Sequence, residues 1–160
     1  MLLLAAAPLA QAADAQLGLL LGRSFDSEET DVLRLTYRRG LNDGKAWWRP
    51  QQLQLGMGIW RVPDLEGRTV RYDFSVTPVW RRESGRGYLE GGIGLYLLSA
   101  TVNNVSNRLP SAFQFGSHVG AGVFVRNASV GVALQHLSNA GIKEPNGGID
   151  FLLLTLGVPF

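Results

Sequence analysis

The sequence predicts an all-β fold, an eight-stranded antiparallel transmembrane β-barrel. Three observations carry this. Apolar residues recur with a period of two in eight successive runs. The two faces so defined differ in kind, one large and apolar, the other small or charged. Finally, 20 glycines are spread through 160 residues, and in a helical bundle each would weaken its helix by about 1 kcal/mol relative to alanine.

The first segment reads as an address. Leu2 to Ala10 is a short apolar core followed by Ala10-Gln11-Ala12, a small-x-small cleavage pattern. Residues 1–12 are expected to be a signal peptide, with a single barrel domain over 13–160. No Lys or Arg precedes Arg23, so the usual positive start is absent. The apolar stretch is too short to span a bilayer as a helix, which takes about 20 residues.

The strands follow in order. In the first, Leu17, Leu19 and Leu21 oppose Gln16, Gly18, Gly22 and Ser24. In the second, Leu33, Leu35 and Tyr37 oppose Arg34, Thr36 and Arg38. The third sets Leu53, Leu55, Met57 and Ile59 against Gln52, Gln54, Gly56 and Gly58. The fourth sets Val70, Tyr72, Phe74, Val76 and Trp80 against Arg71, Asp73, Ser75 and Thr77. The fifth sets Leu89, Ile93, Leu95 and Leu97 against Glu90, Gly92, Gly94 and Tyr96. In the sixth, Phe113, Phe115, Val119, Ala121, Val123 and Val125 oppose Gln114, Gly116, His118, Gly120 and Gly122. The seventh and eighth carry Val130, Val132 and Leu134, then Leu152, Leu154, Leu156, Val158 and Phe160.

A soluble sandwich would alternate too, but its core could not be built mostly of glycine. A barrel in lipid inverts the arrangement, with apolar side chains outward and a narrow lumen holding small residues and paired charges. Arg34, Arg38, Arg71, Asp73 and Glu90 are expected to form an interior ionic network. Tyr72, Trp80, Tyr88 and Phe160 near strand ends are read as interfacial aromatics. With both termini periplasmic, segments near 26–30, 62–69, 100–111 and 138–148 face the outside. Those near 42–46, 82–86 and 126–128 are periplasmic turns.

The same alternation exposes an anomaly. Beyond Leu134 the outward positions are His136 and Ser138; before Leu152 the outward position is Asp150. Serine, histidine and aspartate thus share the outer face of two adjacent strands. They have the logic of a hydrolytic triad: a nucleophile, a base and a carboxylate that orients the base. Asn139 and Gly141 are candidates for an oxyanion site. Glu144 is a rival acid, although no strand fixes its direction, and His118 reads as structural.

Other classes are disfavoured. The net charge of +2, with no basic run, argues against a nucleic-acid partner. Without cysteine there is no disulfide framework or thiolate metal site. No carboxylate cluster suggests a metal, and no cofactor is expected.

The run His136-Leu137-Ser138-Asn139-Ala140-Gly141, with Pro145-Asn146-Gly147-Gly148-Ile149-Asp150 after it, resembles the outer-membrane lipid A 3-O-deacylases of the PagL type. A Trp47-Trp48 pair adds to the likeness. The resemblance implies Ser138 as nucleophile, His136 as general base, Asp150 as orienting acid and Asn139 as an oxyanion aid. Asp150 departs from the Glu of that pattern, which shortens the reach by about 1.5 Å. The implied partner is lipid A, or lipopolysaccharide, in the outer leaflet, with the site facing that leaflet. Lys143 and Arg108 would attract its phosphates, and homodimer formation is left open. A phospholipase-type esterase and a non-enzymatic small barrel are the competing readings.

Overall fold

A computed structural model of the chain describes residues 15–25, 29–41, 46, 48–64, 67–103, 108–144 and 146–160. The expected signal peptide and Trp47 lie outside these. Eight long strands close into an antiparallel barrel: β1 (Ala15–Ser24), β2 (Asp31–Gly40), β3 (Gln52–Asp64), β4 (Gly67–Ser84), β5 (Gly87–Leu98), β8 (Phe113–Val125), β9 (Ala128–Ser138) and β10 (Ile149–Pro159). A two-stranded ribbon, β6 (Val102–Asn103) with β7 (Arg108–Leu109), sits in the connection between β5 and β8. Closure joins β1 to β10, from Gln16 opposite Pro159 to Ser24 opposite Phe151. No sheet edge is left open in the barrel, which is what a strand-built structure in hydrocarbon requires.

The alternation holds on every strand. Leu35, Met57, Leu89, Ile93 and Val119 are among the outward side chains, each more than 60% exposed. An apolar surface of this extent has no place in water and matches the lipid-facing band of a membrane barrel. The inward face carries buried Arg34, Arg38, Gln54, Asp73, Ser75, Thr77, Arg81, Glu90 and Gln135.

Two ion-pair clusters cross the lumen. Arg34 makes a two-pronged contact with Asp73, Nε to Oδ1 at 3.0 Å and Nη2 to Oδ2 at 3.0 Å, and also reaches Gln135. Trp60 Nε1 donates to the same Asp73. Nearer the chain termini, Glu90 accepts from Arg38 at 2.7 and 2.9 Å and from Arg81 at 2.9 and 2.6 Å.

Several expectations are corrected here. Arg71 faces inward but joins neither cluster among the described residues; its Nη1 donates to the Val70 carbonyl oxygen. Arg81 takes that place, because on β4 it lies directly opposite Glu90 of β5. Tyr88 is not interfacial. It is buried in the lumen with the Arg81 guanidinium 4.2 Å from its ring centroid, over space left by Gly122 and Gly131. The β3–β4 and β4–β5 connections are shorter than expected, since pairing continues to Asp64 opposite Gly67 and to Ser84 opposite Gly87.

The lumen is also less polar than the sequence suggests. Toward the end away from the termini it is plugged by Trp60, Val62, Leu98, Leu137, Ile149 and Phe151, with Val102 and Leu109 of the β6–β7 ribbon packed in. The Trp60 and Phe151 rings meet edge-on at 5.1 Å. A narrow eight-stranded barrel must be filled by side chains. Here the large ones stand at the plugged end, and glycines oppose the bulk of Tyr88 and Tyr96 lower down.

Candidate active site

The site grows from the last two strands, which form the hairpin at the plugged end. Along β9, Ala133, Gln135 and Leu137 point into the lumen, leaving Leu134, His136 and Ser138 on the outer wall. Along β10, Ile149, Phe151 and Leu153 are buried and Asp150, Leu152 and Leu154 point outward. Inward burial of Leu137, Ile149 and Phe151 therefore fixes which way the three polar residues face.

Register does the rest. Asp150 stands directly opposite His136, and His136 Nδ1 lies 2.7 Å from Asp150 Oδ1. The shorter aspartate thus reaches the ring without help from a longer side chain. A carboxylate only accepts, so in this pair Nδ1 carries the proton and Nε2 of a neutral ring is left as acceptor. The pair is open to the outside, with side-chain exposures of 48% and 62%. Backbone pairing already joins β9 and β10 at this point, so the fold does not depend on the contact.

The ring has a defined orientation. A Cβ placed on Gly148 would stand 2.8 Å from His136 Cε1 and 3.3 Å from Nε2. Gly148 also has φ +67°, in the left-handed region that favours glycine. The imidazole therefore leans over Gly148, toward the loop end of the hairpin, where Ser138 closes β9. Ser138 shares the outward face with His136 two residues away, half-buried beside Phe115 of β8. No hydrogen bond joins Ser138 to the ring among the described residues; such contacts in enzymes tighten when substrate binds.

The connection after Ser138 is tied by its own polar groups. Asn139, 1% exposed, donates from Nδ2 to the Lys143 carbonyl at 2.7 Å, and its Oδ1 accepts from the Gly141 N–H at 2.9 Å. Its own N–H donates to Asn146 Oδ1. Ala140 and Gly141, at φ 54° and 79°, make the left-handed bend that this requires. The side chain of Asn139 and the amide of Gly141, both expected at an oxyanion site, are thus engaged with the loop itself. Glu144 accepts from the Asn146 N–H at 2.9 Å, so the rival acid serves the loop and Asp150 holds the histidine. His118 faces the lumen, its Nε2 4.0 Å from Glu90 Oε1. Lys143 is exposed in the loop; the side chain of Arg108 lies outside the described residues.

One outward polar residue escaped the sequence reading. Ser117 of β8 is exposed and stands directly opposite His136, on the side away from Asp150. The alternation of β8 could have found it, since position 117 falls between outward Phe115 and Val119.

Comparison with known proteins identifies the family. The family model described as lipid A 3-O-deacylase (PagL) matches residues 31–159. The lipid A deacylase PagL of Bordetella bronchiseptica is 38% identical over 109 residues, covering 67% of this chain and 61% of that protein. The match thus spans less than two thirds of the Bordetella relative. The lipid A deacylase PagL of Pseudomonas aeruginosa is 36% identical over 138 residues, covering 78% of each. Among solved structures, that of the outer membrane enzyme PagL superposes with a TM-score of 0.71 at 27% identity, over 91% of this chain and 99% of that one. Neisserial surface protein A, at 12% identity and a TM-score of 0.53, covering 91% and 96%, shares the fold alone. With the family model spanning most of the barrel and a PagL barrel superposing on 91% of the chain, the chain belongs to the lipid A 3-O-deacylase (PagL) family.

Proposed function

We propose that this protein is an outer-membrane lipid A deacylase that works as a serine esterase, removing the ester-linked acyl chain at position 3. The observation that carries the reading is the His136–Asp150 contact of 2.7 Å on the lipid-facing wall, with Ser138 on the same face two residues further along.

The chemistry follows from these groups. Ser138 Oγ attacks the ester carbonyl while His136 Nε2 takes its proton, and Asp150 holds Nδ1 and offsets the charge that develops on the ring. Collapse of the tetrahedral intermediate expels the sugar hydroxyl, protonated by His136, and leaves an acyl-serine. Water, deprotonated by the same histidine, then releases the fatty acid and restores Ser138. The developing oxyanion needs N–H donors. The Asn139–Gly141 segment is the nearest source, and the Gly141 N–H would exchange Asn139 Oδ1 for the oxyanion. Substrate reaches the site laterally, with its acyl chains against the outward side chains of β9 and β10. In this reading the plugged end of the barrel, with its long connections, faces the cell exterior, and the site meets the outer leaflet.

The test is expression in an outer membrane bearing fully acylated lipid A, comparing the parent with Ser138→Ala by mass spectrometry of extracted lipid A. Loss of one hydroxyacyl group with the parent only is expected. An unchanged profile from folded, inserted parent protein would overturn the reading and turn attention to phospholipid esters.

A further inference from the structure

Three strands bring Ser117, His136 and Asp150 into one lateral row on the outer wall. Asp150 holds the ring and His136 is the base, but Ser117 has no assigned task. Three of its four neighbours are apolar: Phe115 and Val119 flank it along β8, and Ile93 of β5 stands on one side, with the His136 ring on the other. A hydroxyl in such a place is unfavourable unless something hydrogen-bonds it.

Ring orientation argues against it as the nucleophile. The Nδ1–Cε1 edge of His136 faces β10, with Nδ1 on Asp150 and Cε1 against Gly148. Its Nε2 also lies close to Gly148, 3.3 Å from where a Cβ would stand, so the ring leans to β10 and the loop end and away from Ser117. Ser117 is placed to touch what lies over the ring.

We propose that Ser117 determines specificity. Its hydroxyl bonds the hydroxyl on the β-carbon of the departing acyl chain, so the site favours 3-hydroxyacyl esters over plain acyl esters. This rests on the deacylase reading above. The dimensions agree. A β-hydroxyl oxygen lies roughly 4 Å from the ester carbon by ordinary bond lengths. A hydrogen bond adds about 2.8 Å, giving a reach of roughly 6–7 Å. Ser138 faces Phe115, so Ser117 is its diagonal neighbour across the two strands, a relation that spans about 7–8 Å. The path fits as well. An acyl chain leaving Ser138 toward the termini passes Ser117 at once, then runs over outward Val119 and Leu134, and Val132 beside Ala121.

The experiment compares two glucosamine 3-O-esters of equal chain length, with and without the β-hydroxyl, presented in detergent micelles to purified protein. The parent is expected to favour the hydroxylated ester. Ser117→Ala should lower the ratio of the two kcat/KM values about tenfold, the scale of one well-placed hydrogen bond. Ser117→Thr, which keeps the hydroxyl, should keep the preference. A ratio unchanged in Ser117→Ala, including the case where both esters slow equally, overturns the proposal while leaving the deacylase reading intact. Failure of the parent to cleave either ester overturns both.

Discussion

In the proposed mechanism Gly148 supports the base without taking part in the chemistry. Its positive φ and the His136 ring lying over it leave no room for a side chain. Alanine there must either move the ring or bend the loop away. Misplacing a catalytic group by about 1 Å costs on the order of 100-fold, so Gly148→Ala should lower kcat by roughly 10- to 100-fold with KM nearly unchanged. Steady-state kinetics on micellar lipid A check this. A KM effect alone would mean that the glycine shapes the substrate path and not the histidine. At this scale the sequence was informative in one direction only. Counting by twos from Leu134 and Leu152 placed His136, Ser138 and Asp150 on one face with no other help. The same parity did not show that Asn139 and Gly141 bond each other, because loop contacts depend on dihedrals that alternation does not encode.

At the level of elements, the β9–β10 hairpin presents the site because its other face is clamped. Phe151 packs edge-on against Trp60, and Leu137 and Ile149 complete the plug beneath His136 and Asp150. Truncating Phe151 to alanine removes a fully buried ring next to the acid. Such changes cost about 3–5 kcal/mol in packed interiors, so the unfolding midpoint in urea should fall and activity should drop with it. If stability falls but turnover at low temperature is retained, the hairpin holds its geometry without the plug. The plug was not legible in the sequence. Lumen positions were expected to be small or charged, and Leu137, Phe151 and Trp60 fit that pattern only once the barrel's taper and the β6–β7 ribbon are seen. Strand ends were likewise misjudged around residues 62–69. The β3–β4 pairing continues to Asp64 opposite Gly67, while the apolar alternation that marks a strand in the sequence fades where Arg61, Pro63 and Arg68 interrupt it.

For the whole molecule, the lumen is held by charges that join strands far apart in sequence. Arg34 on β2 meets Asp73 on β4 with both side chains fully buried, and Gln135 on β9 bonds the same guanidinium and the Tyr96 hydroxyl. These contacts tie opposite walls together, so they resist ovalisation of the barrel as well as unfolding. Removing one partner from a buried pair leaves the other charge uncompensated, typically at a cost of about 3–5 kcal/mol. Asp73→Ala should show this as a lower urea midpoint and a lower temperature for loss of the compact form in gel mobility. Trp60 Nε1 would lose its acceptor too. The double change Arg34→Met with Asp73→Ala removes the stranded charge, and should be more stable than Asp73→Ala alone. If the double variant is instead the weaker of the two, Arg34 holds the barrel through Gln135 and its stacking on Tyr96, and the ion pair is secondary to that packing.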